Sequence, residues 1–466
     1  MTSTPLLAGI VAASILAVPQ LAPALQPLET FLRGASTSGP DNREARANAA
    51  SQRAQEGAAL GRLLPGISLR GTYTRNQYES SVTLPLDGGA RSVTLTPKDQ
   101  LDGAATLTVP LVDLASHARH GSARAAAAAA DEQTRATALA TEALVTQDYF
   151  QLIADLGLVE AARRALDVSR TGLALTETRF RAGSAAGLEV DRARADVERQ
   201  VQQLAAAELQ RDLVARSLTS RSGVAPAIDP GSGAIALADD LHEEPPLEDF
   251  QTPDAGLPSL ATATLARRAQ EAQARAQRLT LVPSLSASLT ERATNAAGFT
   301  GHELSYQGVV ALSWSFDLTT AANIRAQAAL ADAAAAREER TRLAARDAIH
   351  RSWRAVHTAI ARSRSARAEL EASARAAELA RDRYAVGAAT QLDLLQAQRD
   401  AFGAGVARAQ ADADLANARA QLRIAAGNSL LQPQPDAPAV GPRARGHTVD
   451  RSSESVARSL SVKGTP

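Results

Sequence analysis

Side chains that could bind a metal or catalyse a reaction are sparse in this sequence. His117 and His120 are three residues apart and His350 and His357 are seven apart, spacings that place each pair on one face of a helix. The chain has no cysteine that could complete a metal site with them. The G-x-S-x-G, Walker A, H-E-x-x-H and G-x-G-x-x-G patterns are also absent. We therefore predict a protein that is not an enzyme and that uses no cofactor and no metal.

Three acidic side chains are notable for their positions. Glu189 and Asp191 follow Gly183, and Asp393 follows Gly387, each at the expected start of a new helix. Negative charge in the first turn stabilises a helix by roughly 0.3–1 kcal/mol, which is one explanation for these acids. Another is that they line a passage for ions, because rings of carboxylates attract cations and repel anions.

The composition indicates long helices. Of 466 residues, 45% are hydrophobic and only 3% are aromatic, and much of the hydrophobic part is alanine accompanied by arginine, glutamate and glutamine. The 50 basic and 50 acidic residues balance, which argues against a nucleic-acid-binding protein, since such proteins carry a basic surplus. The lack of cysteine excludes a disulfide framework and a lipid-modified N-terminal cysteine.

The first 24 residues are typical of a signal peptide. An uncharged apolar run over 6–18 precedes Ala22-Pro23-Ala24, an A-x-A cleavage site. The run is shorter than the roughly 20 residues that span a bilayer as a helix. Residues 2–5 lack lysine and arginine, so a buried N-terminal helix is the alternative interpretation.

Long segments without proline predict four helices. Residues 318–386 contain neither glycine nor proline and predict one helix about 100 Å long. The segment 114–182 is similar, and shorter helices are expected at about 188–222 and 392–426. Helices of this length need a partner beside them, so we expect long antiparallel hairpins packed like coiled coils.

The chain contains two copies of one pattern. Residues 179–190 align without a gap with residues 383–394, and Gly183 and Gly387 suit the left-handed conformation that ends a helix. The expected order is a signal peptide, a first repeat, a linker, a second repeat and a disordered tail, at 1–24, 25–224, 225–258, 259–430 and 431–466.

Two strands are predicted before each long helix, because apolar and polar residues alternate there with a period of two. They cover about 66–75, 103–112, 282–292 and 304–316, with loops at 76–102 and 293–302. Strands of about ten residues with one apolar face match bilayer-spanning strands, although a half-buried soluble sheet fits the same pattern. Four strands are too few for a transmembrane barrel, which needs about eight, so membrane strands would have to be shared between copies, and three copies give twelve.

These features together resemble the TolC-like family of outer-membrane efflux proteins. The resemblance is carried by two R-[FY]-x-x-G turns, each followed by L-[ED]-[VL], at 179–190 and 383–394, and by Asp113 and Asp317 between strand and helix. It implies a mainly α protein with a small β part, in which three copies form a twelve-stranded β-barrel joined to a periplasmic α-helical tunnel. Such homotrimers lie in the outer membrane of Gram-negative-type bacteria, in contact with its lipid. They work with a periplasmic adaptor and an inner-membrane transporter as the passive duct of tripartite efflux or type I secretion systems.

The resemblance also implies roles for individual residues. The helix turns at Gly183 and Gly387, with Arg179 and Arg383, would lie at the periplasmic tip, where the adaptor docks. At the periplasmic aperture or gate it implies Asp393 as the acidic residue of the tunnel mouth and Tyr384 as the aromatic brace, with Gln396 where some members carry an aspartate. Glu189 and Asp191 stand at the corresponding place in the first repeat, which makes them candidates for a second acidic level. Ala389 stands where some members carry an arginine. A latch between that arginine and the aspartate at the position of Gln396 is therefore not expected here.

Two other protein classes remain compatible with the pattern. A soluble periplasmic adaptor or scaffold built on a helical hairpin would bury the apolar strand residues in its own core. A cytoplasmic coiled-coil scaffold would keep its first 24 residues. The transported substrate is not predictable from a wall of alanine, serine and arginine.

Overall fold

A computed structural model describes residues 25–86, 89–228, 237, 239–251 and 256–432. The predicted signal peptide and nearly all of the predicted tail lie outside the described residues. Within them the protein is mainly helical with a small sheet part, as the sequence predicts. No helix in this part of the chain is both long and apolar enough to cross a membrane.

Seven helices account for most of the described chain. Two of them, α3 and α6, have 68 residues each, about 100 Å. The bounds are α1 Leu28–Ser38, α2 Pro40–Gly61, α3 Leu114–Arg181, α4 Gly187–Ser222, α5 Pro258–Leu279, α6 Leu318–Ala385 and α7 Gln391–Ala425. Helices α1, α2 and α5 are not among the four helices that the sequence predicts.

Both long helices begin with the same cap. Asp113 Oδ1 accepts a hydrogen bond from Ser116 N at 2.8 Å, and Asp317 Oδ1 accepts one from Thr320 N at 2.7 Å. A capping carboxylate satisfies a backbone N–H that has no partner inside the helix. The two repeats therefore convert strand into helix by the same local contact.

Six strands form two sheets. Their bounds are β1 Gly66–Arg75, β2 Ser80–Leu86, β3 Gly89–Thr96, β4 Asp99–Val112, β5 Ser284–Thr294 and β6 Leu304–Ser313. The larger sheet is antiparallel in the order β1-β4-β5-β6, and β2 and β3 form a separate hairpin. The prediction of a loop over 76–102 is therefore wrong, because its serine-, valine- and threonine-containing stretches pair with each other. The last strand ends at 313 and not at 316.

Cross-strand register separates the four-stranded sheet into two faces. On one face Ile67, Leu107 and Leu289 are neighbours across β1, β4 and β5, and Leu285 pairs with Leu312. On the other face the neighbours are polar, such as Ser68, Thr106, Thr290 and Gln307. Thr106 Oγ1 and Thr290 Oγ1 are 3.1 Å apart, a hydrogen bond across β4 and β5.

The helices pack side by side in the same lateral order as the strands. Next to the sheet the order is α2-α3-α5-α6, and towards the far end it is α4-α3-α7-α6. Among the described residues, this order of strands and helices therefore ends at two outer edges. One edge consists of β1, α2 and α4, and the other of β6 and α6.

The main core lies where α1 packs on α3 and α4. Phe31, Leu32, Val145, Leu152 and Leu218 are almost completely buried there. A smaller cluster in the second repeat is also buried, formed by Val356 and Ile360 of α6 with Leu415 and Leu422 of α7. These clusters hold the helices together at mid-length.

The described part of the linker is fastened to the second repeat. The Arg419 side chain, 9% exposed, places Nη1 2.8 Å from Glu244 Oε1 and Nε 3.1 Å from Asp239 Oδ2. Arg367 Nη1 donates to Asp239 O at 2.9 Å, and Trp353 Nε1 donates to Pro245 O at 3.0 Å. These contacts bind 239–245 to α6 and α7.

Candidate functional site

The far ends of the two helical hairpins carry the residues singled out by the sequence. Gly183 and Gly387 have φ of 75° and 78°, the left-handed conformation. Gly183 N donates to Phe180 O at 2.9 Å and Ser184 N to Arg179 O at 2.9 Å, the two bonds of a Schellman motif. The second turn has the same pair of bonds, at 3.1 Å from Gly387 N and 2.8 Å from Ala388 N. Both hairpins thus reverse through one geometry.

Asp393 caps the helix that it begins. Its Oδ2 accepts from Thr390 N at 3.0 Å and from Thr390 Oγ1 at 2.7 Å, and Thr390 Oγ1 accepts from Asp393 N at 3.2 Å. These form a capping box. The hydrogen bonds from the Thr390 side chain and backbone hold the pKa of the Asp393 carboxyl below its usual value. Asp393 therefore stabilises the start of α7, and its role in a pore remains a prediction.

Tyr384 lies between the two hairpins. It is 2% exposed, whereas Phe180, at the equivalent position of the first repeat, is 49% exposed. The Arg179 guanidinium lies 4.5 Å from the centre of the Tyr384 ring, and Arg179 Nη1 donates to Tyr384 O at 3.1 Å. Arg179 of the first hairpin therefore binds Tyr384 of the second through a cation–π contact and a hydrogen bond from a charged donor.

Three further side chains complete the contact between the hairpins. The Tyr384 hydroxyl is 3.4 Å from Glu189 Oε2 and 3.4 Å from Thr176 Oγ1. Gln391 Nε2 donates to Glu189 O at 2.7 Å. We call Thr176, Arg179, Glu189, Tyr384 and Gln391 the tip cluster. Sequence reasoning missed Thr176 and Gln391, because nothing local to either residue indicates a contact with the other repeat.

The other predicted residues lie outside the tip cluster. Asp191 and Arg383 are exposed, and neither side chain has a hydrogen bond or ion pair within the described part of the chain. Gln396 is exposed and donates to Asp400 Oδ1 at 2.9 Å, one turn along α7. The structure brings together Arg179, Tyr384 and Glu189, and leaves Asp191, Arg383 and Gln396 at the surface.

Ion pairs tie the helices together above the tip. Asp196, which is buried, lies 3.0 Å from Arg199 of its own helix and 3.5 Å from Arg399 of α7. Further up, Asp412 lies 2.9 Å from Arg367. A cleft of about 620 Å³ between the hairpins reaches from one of these carboxylates to the other.

One group of side chains has the composition of a metal site. Among the described residues, Asp239, Asp240 and His242 bring ligand atoms within 4.8 Å of one another. The His242 Nε2 contacts Arg419 Nη1, and Nδ1 contacts Asp240 Oδ1 at 2.6 Å. Because a guanidinium already faces the imidazole, the contacts fasten the linker and do not indicate a cation.

Comparison with known proteins gives one family match and several structural matches. The profile of the family described as "Outer membrane efflux protein" matches residues 33–224 and 255–428. No curated protein sequence matches.

Solved structures share the fold. A membrane protein from Pseudomonas aeruginosa is 23% identical over 86% of this chain and 93% of its own, with a TM-score of 0.73. The Campylobacter jejuni outer membrane channel CmeC is 17% identical over 86% of each chain, with a TM-score of 0.73. The Neisseria gonorrhoeae outer membrane channel MtrE, solved in its open state, is 18% identical over 87% of this chain and 91% of its own, with a TM-score of 0.70.

Proposed function

Because this chain belongs to the outer membrane efflux protein family, we propose that it acts as the passive exit duct of a tripartite efflux system, built from three copies. The family membership makes it an outer-membrane efflux protein and excludes the alternative of a soluble adaptor or scaffold. The proposal concerns the number of copies that form the channel, the path of solutes through it and the roles of the residues at the hairpin tips.

The observation that carries the proposal is the pair of unlike free edges. At each level the edge formed by β1, α2 and α4 differs from the edge formed by β6 and α6. Unlike edges join head to tail, and such contacts close into a ring when the rotation between copies allows it. Three copies would place twelve strands in one closed sheet, which leaves no unpaired strand edge facing lipid.

The outward face of the sheet supports contact with lipid. Tyr306, Val310, Leu312 and Trp314 are all strongly exposed and share the apolar face of β6 and its continuation. Tyr306 and Trp314 lie eight residues apart, which is about 26 Å at 3.3 Å per residue. With the tilt of about 40° of such strands this corresponds to a height of about 20 Å, which falls within the apolar band of about 25 Å that aromatic girdles flank in membrane barrels.

The internal repeat predicts the register between copies. Ile67 of β1 pairs with Leu107 of β4, and Leu285 of β5 pairs with Leu312 of β6. The repeat therefore maps β1 onto β5 and β4 onto β6, so that the contact between copies, β6 on β1, should copy the contact of β4 on β5.

The pair that tests this register follows directly. In the contact of β4 on β5, Thr106 lies opposite Thr290. Under the same mapping, Ala311 of one copy lies opposite Thr72 of the next, both on the polar face. Directly opposed strand residues are close enough for a disulfide.

The experiment is oxidation of a Thr72→Cys, Ala311→Cys double variant in membranes. The natural chain has no cysteine, so no background disulfide forms. We expect disulfide-linked dimers and trimers on a non-reducing SDS gel. The matched control combines Ala311→Cys with Tyr73→Cys, whose side chain is on the other face, and should stay monomeric. A Thr72→Cys, Ala311→Cys variant that remains monomeric while the protein sits in the outer membrane would refute the shared sheet.

The hairpin tips support docking of a periplasmic adaptor. Phe180, Leu188, Val386 and Leu392 are strongly exposed apolar residues around the two turns. Exposed apolar clusters on an otherwise charged surface mark protein contact sites. We place the adaptor on these turns, beside Arg179 and Arg383, and the inner-membrane transporter beyond it. Asp393, Glu189 and Asp191 would then form acidic levels at the aperture, which Tyr384 braces, with Gln396 one turn above.

A further inference from the structure

Arg70 has an unusual position on the four-stranded sheet. The register places it on the polar face, opposite Ala104 of β4. The other cation of this face, Arg292, has its Nη2 2.5 Å from Asp102 Oδ1 and is therefore neutralised. Within the described part of the chain, the Arg70 side chain has no ion pair or hydrogen bond, and it is exposed.

No carboxylate is expected directly opposite Arg70 in the assembled protein either, and its diagonal neighbour on β4, Asp102, is already paired with Arg292. In the contact of β4 on β5, Thr108 lies opposite Ser288. The mapping of the repeats therefore puts Ser313 of the neighbouring copy opposite Arg70. Arg70 would lie between an alanine and a serine, neither of which carries a charge. With Arg292 balanced by Asp102, each copy adds one net positive charge to the polar face.

We propose that three copies of Arg70 form a cationic ring inside the duct, near its outer end, that favours anionic solutes. This inference rests on the proposed closure of three sheets into one. Twelve strands about 4.8 Å apart and tilted by about 40° enclose a cylinder of roughly 12 Å radius. A guanidinium that points inward from the wall lies within one Debye length, about 8 Å at physiological ionic strength, of the axis. Solutes passing along the axis therefore experience the field of all three.

The ring gives the two ends of the duct opposite charge. The proposed aperture at the hairpin tips carries Glu189, Asp191 and Asp393, and the sheet end carries Arg70. A ring of one sign in a narrow passage raises the local concentration of the opposite ion. An anion added at the sheet end should therefore meet the Arg70 ring before it reaches the acidic residues proposed at the hairpin tips.

The test is block of single channels in a planar bilayer by tripolyphosphate, added to one side at a time. Block from the side of the sheet should be the stronger, and Arg70→Gln should weaken it by about tenfold. Asp102→Asn, which releases Arg292 from its partner, should strengthen it. Arg75→Gln is the matched control, because Arg75 is on the same strand but on the other face, 3.5 Å from Asp99.

The possible results separate this inference from the proposed function. Weaker block in Arg70→Gln with unchanged block in Arg75→Gln supports the ring. Equal block in the natural protein and in Arg70→Gln, or weaker block in Asp102→Asn, overturns the ring while the channel itself stands. A natural protein that inserts but never conducts overturns the duct and the ring together.

Discussion

Replacement of Arg179 by glutamine should open the proposed aperture at the hairpin tips. The Arg179 guanidinium makes two contacts with Tyr384 of the other hairpin, one on its ring at 4.5 Å and one on its carbonyl oxygen at 3.1 Å. Glutamine is shorter and uncharged, so it loses both. The two hairpins would then be joined at the tip cluster mainly by the hydroxyl of Tyr384 and the amide of Gln391.

The size of the effect follows from these two contacts. A hydrogen bond from a charged donor contributes about 1.5–3 kcal/mol. A cation–π contact at a partly exposed site adds about 0.5–1 kcal/mol. The two share one side chain and do not simply add, so we expect a loss of about 2 kcal/mol from the closed arrangement. Since 1.4 kcal/mol is a factor of ten, the ratio of open to closed tips should rise by about 30-fold.

Single-channel conductance in a planar bilayer measures this ratio. Arg179→Gln should increase the time spent in high-conductance states. Arg383→Gln is the matched control, because Arg383 is at the same place in the second repeat and its exposed side chain has no hydrogen bond or ion pair in the described part of the chain. The control should behave like the natural protein. If both variants gave the same conductance as the natural protein, the tip cluster would not hold the channel closed.

Two other substitutions test the helices. Asp155 is 3% exposed, and burial raises the pKa of its carboxyl above the unfolded value of about 3.8. The folded state therefore favours the protonated carboxyl, and this contribution to stability is lost as the pH rises through the raised pKa of the folded protein. Asp155→Asn should therefore raise the melting temperature at pH 7 by the equivalent of about 1 kcal/mol, and this gain should disappear at pH 4. A melting temperature equal to that of the natural protein at both pH values would contradict this. Thr390→Ala removes the capping hydroxyl of α7, about 1 kcal/mol, so the first amides of α7 should exchange hydrogen faster. The start of α4, where Ala186 provides no side-chain cap, is the internal reference, and equal protection of α7 in both proteins would be the contrary result.

The mainly helical fold could be predicted because the sequence signals for the long helices are strong and local, and these helices make up most of the fold. Segments of almost 70 residues without proline cannot easily form anything except long helices, and both end at a glycine with positive φ. The alternation of β6 was clear because large residues stand on one face and serine or glutamine on the other.

Other elements were missed because their signals are weak. α2 is rich in alanine and arginine and has no apolar stripe, so only Pro40 at its first turn marks it. α5 is similar, with Pro258 at its first turn. Both are held by packing on α3, which no local pattern reveals. The sequence predicts a loop where β2 and β3 form a hairpin, because these strands are only seven and eight residues long, although Val82 and Leu84 alternate there with polar residues.

The candidate site was predictable only in part. The spacing of Thr390 and Asp393 is a capping-box signature, so the structural role of this acid could be read from the sequence. The tip cluster could not, because Thr176 and Tyr384 are 208 positions apart and meet only when the two hairpins lie side by side. The unequal burial of Phe180 and Tyr384 is likewise a consequence of packing, since both are aromatic residues in matching turns.

The unlike edges of the chain have a genetic consequence. In the proposed ring, a copy whose β6 edge is damaged would still offer an intact β1 edge, so it would enter the ring but leave one seam unsealed. If equal amounts of damaged and sound copies mix at random in rings of three, only about one ring in eight is free of damaged copies. Edge mutations should therefore be dominant over the natural gene, whereas mutations that prevent folding, and hence entry into the ring, should be recessive.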